Sequence, residues 1–216
     1  MRDADWIVPA WGAGAAIGAL MTTRAGGVSR APFDTMNLRA AVGDDPAAVA
    51  RNQALLAEAL GAQPVYLDQV HGARVVRLAA ADAEPGAPVH RADASVCTEP
   101  GIACTAQVAD CLPVLFAAPD GRAVGAAHAG WRGLAGGVVE AALAAVCEAA
   151  GCAPAEVRTW LGACIGPQAF EVGPDVLEAF GRSRADVEPE RFTAGRPGKW
   201  FANLPGLARD RLRAAG

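Results

Sequence analysis

Three residues in this sequence combine metal-binding side chains with positions at the ends of apolar segments: His71, Cys111 and His128. His71 is followed by Gly72 in Gln69-Val70-His71-Gly72. Cys111 lies between Asp110 and the apolar run Leu112-Pro113-Val114-Leu115-Phe116. His128 ends Val124-Gly125-Ala126-Ala127 and leads into Ala129-Gly130-Trp131-Arg132-Gly133. Two imidazoles and a thiolate make a borderline-soft set that suits zinc, and three protein ligands leave a fourth position open, as in catalytic zinc sites. The same set suits blue copper, which usually adds an axial Met; Met1, Met21 and Met36 are all distant from the three in sequence. The gaps of 40 and 17 residues match no local ligand motif. On spacing alone, a packed cysteine with two hydrogen-bonded histidines stays open.

A second chemical signal follows His128. The strand ends, glycines turn the chain, and a helix is expected to begin near Gly133 with Arg132 beside it. Free N–H groups at a helix start, together with a guanidinium, attract an anion such as phosphate. Arg24, next to the Gly26-Gly27 turn, is another anion candidate. Asp110 is the carboxylate nearest a ligand in sequence, fit either for orienting hydrogen bonds or for proton transfer.

These residues need elements to position them. Residues 15–22 read as a strand. Asp44 or Asp45 before Pro46 starts a helix that Val49, Leu55, Leu56 and Leu60 carry to Gly61. Short strands are expected at 64–68 and 73–78, on either side of the His71 motif. Between 93 and 129 the pattern is three strands separated by turns, Pro119-Asp120-Gly121 being one of them. A long helix over 133–150, a strand over 158–165 and helices over 174–182 and 203–213 follow. Helices and strands mixed irregularly, with hairpin-like pairs, predict one α+β domain over residues 1–216 rather than a doubly wound α/β sheet.

With 216 residues, 52% of them hydrophobic, and a formal charge of −4, the chain can bury a sizeable core and carries no basic footprint for nucleic acid. The uncharged stretch 7–23 contains Pro9, Trp11 and several glycines, and Arg2 is outnumbered by Asp3 and Asp5, so neither an export signal nor a membrane span is expected. A reduced cytoplasmic state is expected for the six cysteines.

Taken together, Thr22-Thr23-Arg24-Ala25-Gly26-Gly27-Val28-Ser29, Gln69-Val70-His71-Gly72, Ala109-Asp110-Cys111-Leu112-Pro113-Val114-Leu115, His128-Ala129-Gly130-Trp131-Arg132-Gly133, Ile165-Gly166-Pro167 and Phe170-Glu171-Val172-Gly173 closely resemble the bacterial laccase-domain family. Its members are variously labelled polyphenol oxidase, purine nucleoside phosphorylase and peptidoglycan editing factor. The resemblance extends from about residue 5 to 213. It implies a compact fold of mixed sheets packed between helices, with a zinc held by His71, Cys111 and His128. It also implies phosphorolysis of adenosine, inosine and methylthioadenosine, with adenosine deamination beside it. Cys111, His71, His128 and Asp110 are then the catalytic candidates, and Arg24, Gln69 and Arg132 the substrate-binding ones. The partners are a purine nucleoside and phosphate, with no nucleic acid or membrane.

Some positions depart from the family pattern. Gln53 follows Asn52 where arginine is common, Gln168 replaces a cysteine, and Asn203 stands where Asp is frequent. Relatives continue past residue 216 with a further strand and an arginine-rich tail, which this chain is expected to lack. The usual zinc-deaminase signature, His-x-Glu with Pro-Cys-x-x-Cys, is absent, so deamination needs another constellation. The competing readings are a cysteine hydrolase acting on a peptidoglycan precursor through Cys111, a binding protein without turnover, and a copper polyphenol oxidase.

Overall fold

The computed structural model describes residues 5–183 and 188–216. Its regular elements begin with α1 (Pro46–Leu60), β1 (Gln63–Val65) and β2 (Val75–Leu78). Next come β3 (Ala94–Cys97), β4 (Ile102–Cys104), β5 (Leu112–Ala117) and β6 (Val124–Ala129). Helices α2 (Trp131–Ala135) and α3 (Val138–Ala150) precede β7 (Arg158–Leu161). The last elements are β8 (Glu171–Val172), α4 (Pro174–Ala179), β9 (Phe192–Ala194), β10 (Trp200–Ala202) and α5 (Leu204–Ala214).

Five strands form one mixed sheet in the order β2-β3-β6-β5-β7. Only β2 and β3 run parallel; the other three pairings are antiparallel. Because side chains alternate along a strand, neighbours in β3 serve opposite faces. Val96 joins the main core with α3, whereas Cys97 packs with Val65 and Leu78 beside the parallel pair β1–β4. The fold is thus α+β with mixed sheets, as predicted.

Helix α3 buries Val138, Val139, Ala142, Leu143 and Val146, a stripe of helical period. Each fully buried Val or Leu contributes roughly 1.5–3 kcal/mol. Gly125 on β6 lets the helix come close: a Cβ there would lie 2.9 Å from Val146 Cγ2 and 3.1 Å from the Ser95 carbonyl.

The start of α1 is set as the sequence predicts. Asp45 accepts from the Ala47 N–H at 2.9 Å, Pro46 takes the first turn, and Gly61 ends the helix at φ 64°. Elsewhere the structure differs. Residues 15–22 form no strand; only an isolated bridge joins Ile7 and Met21. The region 93–129 holds four strands rather than three, β4 leaving the main sheet to pair with β1. The helix expected over 133–150 is two helices, broken at Gly136-Gly137, with Gly137 at φ 91° starting the second. A three-stranded sheet, β8-β10-β9, was not anticipated, its strands being only two or three residues long.

The loop before α1 is anchored by one buried side chain. Asn52 is fully buried, accepts from the Val28 N–H at 2.8 Å, and donates to the Thr35 and Asn37 carbonyls and to Ser29 Oγ. Asn52→Ala would strand several buried partners at once, each costing about 1–3 kcal/mol. Urea unfolding should show a loss of about 3 kcal/mol; a midpoint unchanged from the parent would refute this anchoring role.

Candidate metal centre

One end of the central sheet gathers all three predicted ligands. β5 and β6 pair Leu112 with Ala129 and Pro113 with His128. Cys111 therefore lies just before the first rung, beside Gly130 just after it. β3 begins on the other side of β6, where the His128 N–H donates to the Asp93 carbonyl at 2.7 Å. His71 lies on the loop entering β2, at the same end. The candidate ligand atoms of His71, Cys111 and His128 all fall within 4.8 Å of one another. Cys111 Sγ is 3.7 Å from His71 Nε2. Tetrahedral zinc with ordinary bond lengths puts sulfur and nitrogen ligands roughly 3.6 Å apart, so the donor set fits a metal in both chemistry and separation.

Asp93 holds this arrangement, and the sequence reading missed it. Only 1% exposed, its carboxylate accepts from the N–H groups of Val70, His71 and Gly72 at 3.1, 2.8 and 2.8 Å. It also accepts from His128 Nδ1 at 2.9 Å, which leaves Nε2 as the free nitrogen of that ring. His71 has φ 61°, a conformation that costs an L-residue about 1–2 kcal/mol. The three backbone donors on Asp93 secure that turn. Burial pushes the Asp93 carboxyl up, but the His128 hydrogen bond and the three N–H groups together bring it below its usual range. In the metal-free protein, burial, Asp110 and Asp93 push the Cys111 thiol up; a bound cation reverses that balance. Burial, before all else, lowers His128.

Two glycines make the site possible. A Cβ on Gly130 would lie 2.7 Å from His71 Cδ2 and 2.8 Å from Cys111 Sγ. One on Gly133 would lie 2.8 Å from the Gly72 carbonyl. The glycines after His128 let the α2 segment lie against the segments that carry His71 and Cys111.

The remaining candidates divide. Asp110 is exposed beside Cys111, its carbonyl accepting from the Ile165 N–H at 2.9 Å. Gln69 is buried, with both ends of its amide engaged by the Gln107 backbone at 2.7 and 2.8 Å. Arg132 is exposed, with its guanidinium 4.2 Å from the Trp131 ring centroid. Arg24 donates to the Asp34 carbonyl at 3.2 and 3.0 Å. Helix α2 begins at Trp131 rather than near Gly133 and runs for five residues, too short to offer an anion much of a helix dipole. Of the methionines, Met21 Sδ accepts from the Ala163 N–H at 3.4 Å, and Met36 is buried with Trp6 and Leu56.

Known proteins share this chain and its fold. A purine nucleoside phosphorylase of Pseudomonas aeruginosa is 48% identical over 98% of the chain and 83% of its own length. The purine nucleoside phosphorylase YfiH of Escherichia coli is 43% identical over 97% of the chain and 83% of its own length. A crystal structure of a Neisseria meningitidis protein superposes with a TM-score of 0.87 at 42% identity, covering 98% of this chain and 84% of that one. YlmD of Geobacillus stearothermophilus also gives 0.87, at 31% identity, over 100% of this chain and 83% of that one. The family model described as multi-copper polyphenol oxidoreductase laccase matches residues 18–216, and the chain belongs to that family.

Proposed function

We propose that this chain is a zinc-dependent purine nucleoside phosphorylase with adenosine deamination as a second activity. The observation that carries the reading is the His71-Cys111-His128 cluster, with His128 fixed by Asp93, in a chain whose relatives bear the phosphorylase name. Three ligands leave a position for substrate or water. Bound zinc would supply a Lewis acid for a substrate oxygen or nitrogen, or a hydroxide at neutral pH.

In phosphorolysis a phosphate oxygen bonds to C1′ of the ribose as the bond from C1′ to the purine breaks, and a proton goes to the leaving base. The chain's own groups divide that work. Asp93 holds the two histidines, Asp110 stands at the exposed edge for proton transfer, and Arg132 offers a cation to the incoming phosphate. Gln69 serves by holding the 69–72 turn against Gln107, and Arg24 is the outermost cation. Among the described residues no helix is long and apolar enough to cross a membrane, and all six cysteines are free, which suits a reducing cytoplasm.

Two rival chemistries fit less well. In a thiol hydrolase the imidazole that touches the sulfur is typically the one oriented by a third group. Here His71 touches Cys111, whereas the Asp93 carboxylate bonds to the His128 ring. Multi-copper oxidation needs several metal sites, and among the described residues a single His/Cys/carboxylate group has ligand geometry.

Elemental analysis should find about one zinc per chain. Adenosine should release adenine only when phosphate is present. Zinc with release independent of phosphate would move the reading to a hydrolase, and absence of tightly bound metal would remove its foundation.

A further inference from the structure

We propose that Cys147 and Cys152 are a dithiol that closes to a reversible disulfide by exchange with a small-molecule disulfide, clamping the C-terminal end of α3. The helix end places the two thiols together. Gly151, left-handed at φ 62°, stops the helix, and the Cys147 carbonyl accepts from the Gly151 N–H and, at 3.1 Å, from the Cys152 N–H. A helix end closed over six residues in this way brings its first and last side chains into contact, a place usually held by two apolar groups. Here both groups are cysteines. They are half-buried, pack against the main core and are free thiols. Burial first, then the adjacent Cys152 thiol and Glu156, hold the Cys147 thiol above its ordinary value.

The other four cysteines are placed differently. Cys97 is 1% exposed and its sulfur is engaged by the Glu99 backbone. Cys104 donates to the Val124 carbonyl, and burial pushes its thiol up to about 12. Cys111 and Cys164 stand at the metal end of the sheet. The Cys147–Cys152 pair stands at the opposite end: Cys152 leads through the turn Pro154–Glu156 into β7, whose Arg158 pairs with Ala117, the last residue of β5. Cys111 precedes the first residue of that same strand, Leu112. The clamp therefore ties α3 to the chain entering β7 and leaves the ligands alone, independently of the nucleoside reaction.

The exchange runs in two steps. One protein thiolate attacks a sulfur of the external disulfide, forming a mixed disulfide on the protein and releasing a small thiolate. The neighbouring protein thiolate then attacks the protein-bound sulfur, forming the Cys147–Cys152 bond and releasing the second small thiolate. Two protein thiols are oxidised, the external disulfide is reduced to two thiols, and the protein's two protons pass to the leaving groups. The second step is favoured because its sulfur already stands beside the first. Excess small thiol reverses both steps.

The test uses the metal-loaded protein with oxidised glutathione in large excess at about pH 8, where thiolate is available. After an acid quench, free thiols should fall by two from the six of the reduced chain. Peptide mapping should find Cys147 joined to Cys152, and reduced glutathione should undo the link. The oxidised protein should melt about 5 °C above the reduced one at equal metal content, the order expected of a short closed loop in a chain of this size. Cys152→Ser should stop at a mixed disulfide on Cys147 and show no such rise. The parent alone decides the link, so the result stands even if that variant folds poorly. Any of four results in the parent overturns the proposal: no thiol lost, glutathione kept on both cysteines without a link, a link between other cysteines or between chains, or a Cys147–Cys152 link with no rise in melting temperature.

Discussion

Cys111→Ser should lose its metal and its nucleoside turnover together while keeping the fold. Cys111 is half-buried, and its sulfur lies 3.7 Å from His71 Nε2. No core layer depends on it, so the metal-free stability should change by less than about 1 kcal/mol. The serine hydroxyl stays protonated at neutral pH and is a much poorer ligand for a borderline-soft cation. A metal that binds only the native state raises the melting temperature in proportion to its affinity. A chelator should therefore lower the melting temperature of the parent protein and leave that of Cys111→Ser unmoved. Cys164→Ser is the control: it replaces a nearby thiol that donates to the Ile165 carbonyl, and should keep both zinc and turnover. Retention of stoichiometric metal by Cys111→Ser would falsify the ligand assignment, and loss of metal by both variants would point to a general thiol effect.

What the sequence could and could not disclose follows from the range of the interactions involved. Helix α1 was legible because its start and stop are local: Asp45, Pro46 and Gly61 act within one turn of their own positions. The grouping of His71, Cys111 and His128 was legible because rare side chains stood at the ends of apolar runs. Asp93 was not, although it stands just before the fully buried strand β3, where a carboxylate needs partners. Those partners, the 70–72 turn and His128, lie more than twenty residues away on each side. The Gly136-Gly137 break was missed, because apolar positions stand on both sides of it and suggest one continuous helix. The β8-β10-β9 sheet gave no period to detect, because two or three residues cannot show an alternation.

Asp93→Asn should damage both the fold and the metal site. The native carboxylate takes four donors: three successive backbone N–H groups and the His128 ring. Asparagine has one oxygen to accept with, and turns an NH2 toward donors that can only repel it. At least one buried N–H is then left without an acceptor, and the left-handed turn at His71 loses part of what offsets its cost. Breaking a buried charged network in this way typically costs about 3–5 kcal/mol. The loss should appear as a lower urea midpoint with an unchanged slope, since the surface exposed on unfolding stays the same. The second effect is on the metal. With Nδ1 no longer held by a carboxylate, His128 is free to rotate or change tautomer, and removing such a support typically weakens metal binding 10- to 100-fold. Competition with a chromogenic chelator measures that effect directly, at a urea concentration and temperature where both proteins are folded. A variant that is less stable but binds zinc as tightly as the parent would make Asp93 a support for the 70–72 turn alone. A variant with both losses would show that one carboxylate sets the backbone of one ligand and the ring of another.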